Sequence, residues 1–268
     1  MTDSMEIKLD RRYVKKYEEL MLHILEISSS VTIPRCNNDI FRLLHTFLTR
    51  QISLLKAIYK LAGEDLYYEG CILLTTLIEN YILQKWLIRE DKILDYVEFG
   101  SAESLPRLAL HPEETEEVLR FIKEHNVKRF LKKSKEATRE NLLDKDSYKT
   151  EWQNLTRITK DLIGNDEKSE VKELKKFYDF ACGFKHSRPY AVLSRMGYDI
   201  VAQDAFLLYN GAIYAGICNL VLIDQCCNFE GLKNKLKDIY LQLNDLAKDN
   251  PILKNELKNI QKGINNIA

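Results

Sequence analysis

Apolar residues recur every three or four positions along most of the chain, which is the spacing of one face of an α-helix. No stretch alternates apolar and polar residues for long enough to predict a strand. The pattern therefore predicts an all-α fold, a multi-helix bundle of about seven to nine helices. The predicted helices cover residues 5–27, 38–61, 64–96, 148–163, 166–186, 200–227, 230–248 and 251–267, and another helix is predicted to start at Pro112.

Two changes in composition divide this pattern. Residues 99–112 contain a glycine and two prolines and are predicted to connect two helices. Residues 123–139 are rich in Lys and Arg and poor in apolar residues, which predicts either a solvated basic helix or a mobile insertion. We expect residues 1–228 to form the bundle, with a polar, basic insertion near residues 99–147. Residues 229–268 are expected to form a C-terminal helical extension.

The segment 205–223 carries no charge and is just long enough to span a bilayer. Both a membrane span and the central helix of a soluble bundle fit its composition. Asp204 and Asp224 bound the segment, and no cluster of Lys or Arg flanks it, which favours the central helix. Association with a membrane is therefore not expected.

The overall charge is balanced, because 40 Lys and Arg residues face 40 Asp and Glu residues. No global field attracts nucleic acid, so any RNA would have to bind a local basic patch. The six cysteines include no C-x-x-C pair, and Cys182 and His186, one helical turn apart, lack a clear second pair of metal ligands. The polar start of the chain does not resemble a signal peptide. We expect a cytoplasmic protein with neither a cofactor nor a bound metal.

Glu79 lies in the middle of an apolar, helix-length run over residues 71–88. An ionised carboxylate in such a place needs a cation or several hydrogen-bond donors. The segment from Tyr178 to Pro189 is the expected source of that partner. Glu79 is predicted to be either a catalytic or orienting carboxylate, or the acceptor of a structural hydrogen bond.

His186 lies near the end of the helix predicted over residues 166–186, because Pro189 disfavours helical conformation in the residue before it. Lys185 and Arg188 lie beside it in the sequence. A histidine in this setting can act as an acid, a base or a phosphate contact. Alternatively, it is a structural histidine that binds a carboxylate.

Two short motifs, Leu74-Thr-Thr-Leu-Ile-Glu79 and the segment Tyr178–Ser187 with its Tyr-x7-His-Ser spacing, carry a resemblance. Over residues 40–228 the chain resembles bacterial helical proteins grouped as a domain of unknown function. More distantly it looks like the HEPN superfamily, whose helical bundles often act as metal-independent ribonucleases in toxin and antiphage systems. In those enzymes four to six residues separate an Arg from the His that follows it, and paired protomers bring both side chains to one RNA phosphate.

The resemblance implies an RNA-cleaving or RNA-binding effector of a bacterial defence or toxin system, acting as a homodimer. It would make His186 the acid and base, with Arg188 and Lys185 holding phosphate and Glu79 orienting the imidazole. Arg188 follows His186 rather than preceding it, which departs from the HEPN motif. Arg120 and His125 do have the HEPN spacing and form an alternative catalytic pair.

The basic stretch offers a second contact for RNA. Lys128, Arg129 and Lys132 suit a phosphate backbone, although a solvated helix face has the same composition. A different class of function is a non-enzymatic interaction module that binds a protein partner. In that module Glu79 and His186 would form a buried structural pair, and residues 123–139 or the C-terminal helices would hold the partner.

Overall fold

The computed structural model describes residues 11–33, 39–108, 127–144, 147–148, 154–164, 170–186, 200–229 and 231–248, together with 116, 120 and 124. These residues form nine α-helices, one 3₁₀-helix and an isolated bridge between Leu131 and Tyr148, with no strand among them. The predicted all-α, multi-helix fold is therefore confirmed.

The nine helices follow one another along the chain in the order of their numbers. They are α1 Arg11–Ser30, α2 Asp39–Gly63, α3 Tyr67–Arg89, α4 Ile93–Leu108, α5 Arg139–Leu143, α6 Leu155–Ile163, α7 Glu170–Lys185, α8 Ile200–Cys227 and α9 Leu232–Lys248. The 3₁₀-helix, Val127–Phe130, lies between α4 and α5.

Helix α8 is the centre of the bundle and packs against α1, α2, α3 and α7. Two glycines allow its neighbours to come close. A Cβ atom at Gly211 would lie 2.8 Å from a methyl of Leu74 on α3, and one at Gly216 would lie 2.9 Å from a methyl of Ile24 on α1. The small residues of this helix thus set how closely α1 and α3 approach the core.

By length and composition, the stretch Ala205–Cys227 of α8 could cross a membrane, and it is the one such helix among the described residues. Within the bundle, 89% of its apolar window is buried against other helices. Its apolar surface is thus covered by the protein's own core.

The predicted helix over residues 64–96 is wrong in one respect, because it is two helices. Helix α3 ends at Arg89 and is followed by a left-handed residue, Asp91, with φ of 51°. The N–H of Lys92 donates to the carbonyl of Leu87 at 2.9 Å. Asp65, with φ of 57°, follows the end of α2 in a similar conformation. Glycine usually occupies this position after a helix, so aspartate there gave no signal of a helix end.

The predicted connection over residues 99–112 is also wrong for its first part, because α4 continues to Leu108. Pro106 lies in the last turn of α4, where the loss of one backbone donor interrupts only a single intrahelical hydrogen bond. Residues 109–112 lie outside the described part of the chain.

The described part of the basic stretch forms a 3₁₀-helix followed by turns rather than a solvated α-helix. Its apolar side chains form a second, smaller core with one residue of α4, one of α5 and a tyrosine that follows α5. The backbone N–H of Lys132 donates to the carbonyl of Ser147 at 2.8 Å, which closes the loop on itself. The buried members of this second core are Phe99, Val127, Phe130, Leu131, Leu142 and Tyr148.

Helix α9 belongs to the main core, because Leu232, Leu236, Ile239 and Leu246 are buried in the same cluster as the other helices. The division between a bundle and a C-terminal extension stays a prediction. The helix predicted over residues 251–267 lies outside the described residues.

The glycine contacts of α8 predict a difference between two Gly→Ala substitutions. Gly211→Ala is expected to lower the free energy of unfolding by about 1–3 kcal/mol, because its methyl overlaps Leu74 and the ring of Phe177. Gly100→Ala, inside α4 with no atom within 4 Å of the added methyl, is expected to raise it by up to about 1 kcal/mol. Urea denaturation measures both, and equal effects would contradict close packing at Gly211.

Candidate functional site

The carboxylate of Glu79 is held from α7, as the sequence predicts. The hydroxyl of Tyr178 donates to Glu79 Oε1 at 3.0 Å, and the ammonium of Lys185 lies 3.4 Å from the same oxygen. Tyr178 and Lys185 are seven residues apart, two helical turns, so both face α3. Two donors from one helix face thus meet a carboxylate that projects from an otherwise apolar helix.

The predicted buried pair of Glu79 with His186 is wrong. The side chain of Glu79 is 32% exposed and His186 is exposed. Neither a hydrogen bond nor an ion pair joins the two side chains in the described structure, and Tyr178 and Lys185 take that place. His186 is one residue beyond Lys185 and is therefore turned by about 100° from the face that meets α3.

Tyr178 is protonated over the ordinary pH range. Its partial burial, a hydrogen bond with the thiol of Cys182 and the charge of Glu79 all raise the pKa of the phenol above its usual value, and burial has the largest effect. The phenol therefore keeps its proton and acts as the donor to the carboxylate.

His186 ends α7 with its backbone rather than its side chain. Its N–H donates to the carbonyl of Cys182 at 3.0 Å, and the exposed imidazole extends from the helix end. Cys182 and His186 are one helical turn apart, a spacing that could let both bind one metal ion. The described structure, however, contains no group of three His, Cys, Asp or Glu side chains that could hold a metal ion.

The end of α7 is also held by Tyr68, a residue that no sequence pattern singled out. Its hydroxyl donates to the carbonyl of Phe184 at 2.9 Å, and its ring packs edge-on against the Phe184 ring with centroids 5.3 Å apart. Tyr68 thereby satisfies a carbonyl in the last turn of α7, which has no partner within the helix. The backbone next to Lys185 and His186 is fixed by this contact.

The start of α7 also makes polar contacts with α3. The hydroxyl of Tyr81 donates to Glu170 Oε1 at 2.8 Å, and Lys85 forms an ion pair with the same carboxylate. Helix α7 is therefore fixed to α3 near both ends and in the middle at Glu79.

The predicted phosphate contacts of the basic stretch differ in their surroundings. Arg129 forms ion pairs with Glu98 and Asp95 of α4 and lies 4.6 Å from the centre of the Phe130 ring. Its guanidinium is therefore engaged within the protein. Lys128 and Lys132 are exposed, and no ion pair to either is found in the described structure.

The alternative catalytic pair cannot be assembled from the described residues. Arg120 is exposed on a helical turn, while His125 lies outside the described residues. Arg188, which was predicted to hold phosphate beside His186, also lies outside the described residues.

Loss of the Tyr178 hydroxyl tests the contact at Glu79. Tyr178→Phe is expected to lower the free energy of unfolding by about 1–2 kcal/mol, because a hydrogen bond to a charged group is lost. Lys185→Met is expected to lower it by less than about 1 kcal/mol, because that ion pair is solvent-exposed and screened. Thermal and urea denaturation measure both, and a Tyr178→Phe variant as stable as the parent would contradict the contact.

Residues 41–199 match the profile of a family described as a family of unknown function, DUF5677. The match spans more than half of the chain and includes Glu79, Tyr178, Lys185 and His186. Searches of curated proteins and of solved structures found no match. The resemblance to HEPN ribonucleases stays a prediction.

Proposed function

Since this chain belongs to DUF5677, a family of unknown function, we propose its activity from its own residues: it binds RNA and cleaves it without a metal ion at the end of α7. The observation that carries the proposal is an exposed imidazole, that of His186, beside the lysine that ends a helix fixed to the bundle. As an effector of a defence or toxin system, the protein would act as a homodimer.

Exposure of His186 supports a role in binding or chemistry rather than in folding. Imidazole is the commonest general acid or base in enzymes. An exposed imidazole with no hydrogen bond or ion pair to a described carboxylate is free to meet a substrate. Its backbone position is nevertheless fixed, because Tyr68 and Cys182 hold the last turn of α7 through hydrogen bonds.

The proposed reaction is attack by a ribose 2′-hydroxyl on the adjacent phosphate. His186 takes the proton of that hydroxyl, the bond to the 5′-oxygen breaks, and the leaving oxygen gains a proton from the second imidazole of a dimer. The products are a 2′,3′-cyclic phosphate and a 5′-hydroxyl. No metal takes part, because the attacking group and its phosphate already belong to one molecule.

In this proposal the role of Glu79 differs from the one that the resemblance implies, and Lys185 shares its charge between Glu79 and a phosphate. Glu79 orients Lys185 rather than the imidazole, because it contacts Lys185 and Tyr178. The Lys185 ammonium is held at 3.4 Å, loosely enough to share its charge with a bound phosphate. Stabilisation of charge that develops on phosphate is the larger part of catalysis in reactions of this type.

Substitution of His186 tests the chemistry. His186→Ala is expected to slow cleavage of a labelled single-stranded RNA, in buffer with EDTA, by about a hundredfold or more. The melting temperature is expected to stay the same, because the side chain is exposed. His45→Ala, which removes another exposed histidine from α2, is the matched control and should cleave like the parent.

Three outcomes of that experiment are informative. Equal cleavage by the parent and His186→Ala would place the chemistry elsewhere, with Arg120 and His125 the next pair to test. Binding without cleavage by the parent would leave an RNA-binding module. Neither binding nor cleavage would contradict the proposal and favour an interaction module with a protein partner.

Two exposed lysines test how RNA is held. Lys128→Gln with Lys132→Gln is expected to weaken RNA binding and to reduce the slope of log Kd against log salt by about 1.4, the value for two phosphate contacts on a single strand. Lys235→Gln with Lys237→Gln removes the same charge from exposed positions of α9 and should leave the slope unchanged. Fluorescence anisotropy over a salt series measures both, and equal slopes for the two double variants would contradict a specific basic surface.

A further inference from the structure

Four Ser, Gln and Asn side chains are completely buried in the main core, one on each of α1, α2, α3 and α8. They are Ser28, Gln51, Gln84 and Asn219, each with 0% of its surface exposed. Each has at least one side-chain polar atom without a hydrogen-bond partner in the described structure, and for Gln84 and Asn219 both amide atoms are in this state. Polar groups with no partner are rare in protein cores, so these completely buried residues require a physical explanation.

Helices α1 and α8 run parallel, which places Ser28 level with Asn219. The ring of Tyr17 stacks on that of Tyr209 with centroids 6.0 Å apart, and Ile24 contacts Gly216 at the same sequence offset. Ser28 is one turn beyond Ile24, and Asn219 is one turn beyond Gly216. The two polar residues therefore lie at one height between the two helices.

Helix α2 brings Gln51 to the same height. Its amide nitrogen donates to the carbonyl of Gly216 at 3.3 Å, while its amide oxygen has no partner. Since Leu55 also lies beside Gly216, Gly216 is level with the turn of α2 from Gln51 to Leu55. Gln51 thus reaches α8 within one turn of Asn219.

Helix α3 supplies the fourth residue. It runs parallel to α8, with Gly70 beside Leu208 and Leu74 beside Gly211. If the same pairing of residues continues along the two helices, Gln84 lies level with the turn of α8 that follows Asn219. The four residues therefore occupy one cross-section of the bundle.

We infer that Ser28, Gln51, Gln84 and Asn219 form a single polar layer that binds ordered water molecules inside the core. The unpartnered atoms include three groups that can donate, the Ser28 hydroxyl and the Gln84 and Asn219 amide nitrogens. They also include three amide oxygens that accept, those of Gln51, Gln84 and Asn219. A buried water needs two to four polar partners and both donates and accepts, so water matches this set.

The ligand is neutral, because all four side chains are uncharged. The four side chains include no carboxylate to balance the charge of a buried cation and no cationic group to balance that of a buried anion. The layer also fixes α3 and α8 in register, because sliding either helix by one turn would separate its polar residue from the shared water. Helix α3 carries Glu79, so the layer supports the register of the candidate site without taking part in it.

A double-mutant cycle tests whether the residues share a partner. Asn219→Leu and Gln84→Met, each similar in shape to the residue it replaces, are each expected to lower the equilibrium constant for folding about tenfold or more, because each leaves the rest of the layer short of a partner. The double variant is expected to lose less than the product of the two single losses, by about threefold or more. Losses that simply multiply would overturn the shared layer.

Asn210→Leu is the matched control for this cycle. It makes the same change on the same helix, and Asn210 also has one unpartnered amide oxygen. By register it lies about 15 Å along the bundle from Gln84, which is beyond the range of direct coupling. Asn210→Leu and Gln84→Met should therefore multiply within about twofold.

A high-resolution crystal structure of the parent protein separates water from direct contact. Density for at least one water bonded to two or more of the four side chains is the expected result. Direct hydrogen bonds between the side chains with no water would overturn the inference, even if the cycle shows coupling. This measurement does not require the variants to fold, and it does not depend on the proposed activity toward RNA.

Discussion

The structure depends on the close packing of α8 against the helices around it. Gly211 and Gly216 leave no room for a Cβ atom, so α3 and α1 can approach the central helix closely. Protein interiors are packed as densely as organic crystals, so such contacts leave few alternative positions for the neighbouring helices. The position of α3 fixes the position of Glu79, and every contact of the candidate site follows from there.

Polar contacts then fix α7 on α3. Tyr81 and Lys85 hold Glu170 at the start of α7, Glu79 meets its middle, and Tyr68 holds a carbonyl of its last turn. Apolar packing is non-directional and would allow small rotations of α7, whereas hydrogen bonds at three heights do not. The consequence is an exposed helix end whose backbone is held as firmly as an element of the core.

The sequence predicted the helices well wherever apolar spacing carried the signal. It also pointed to the segment that binds Glu79, because a carboxylate in an apolar helix needs a partner. The sequence-based predictions were wrong where a helix end or a contact had no local sequence signal. Aspartate replaced the usual glycine after α3, so the end of that helix was missed, and Phe99 and Tyr148 meet across a gap in sequence that no local pattern reveals.

The partner of Glu79 also could not be identified from local sequence alone. Lys185 and His186 are neighbours in sequence, and both residue types can bind a carboxylate. Only the rotation of α7 about its axis decides between them, and that rotation is set by Tyr178, two turns before Lys185 on the same face. Because Lys185 occupies the contact with Glu79, the neighbouring imidazole is left to solvent. The fold therefore gains its stabilising contact at Glu79 while leaving the His186 side chain exposed.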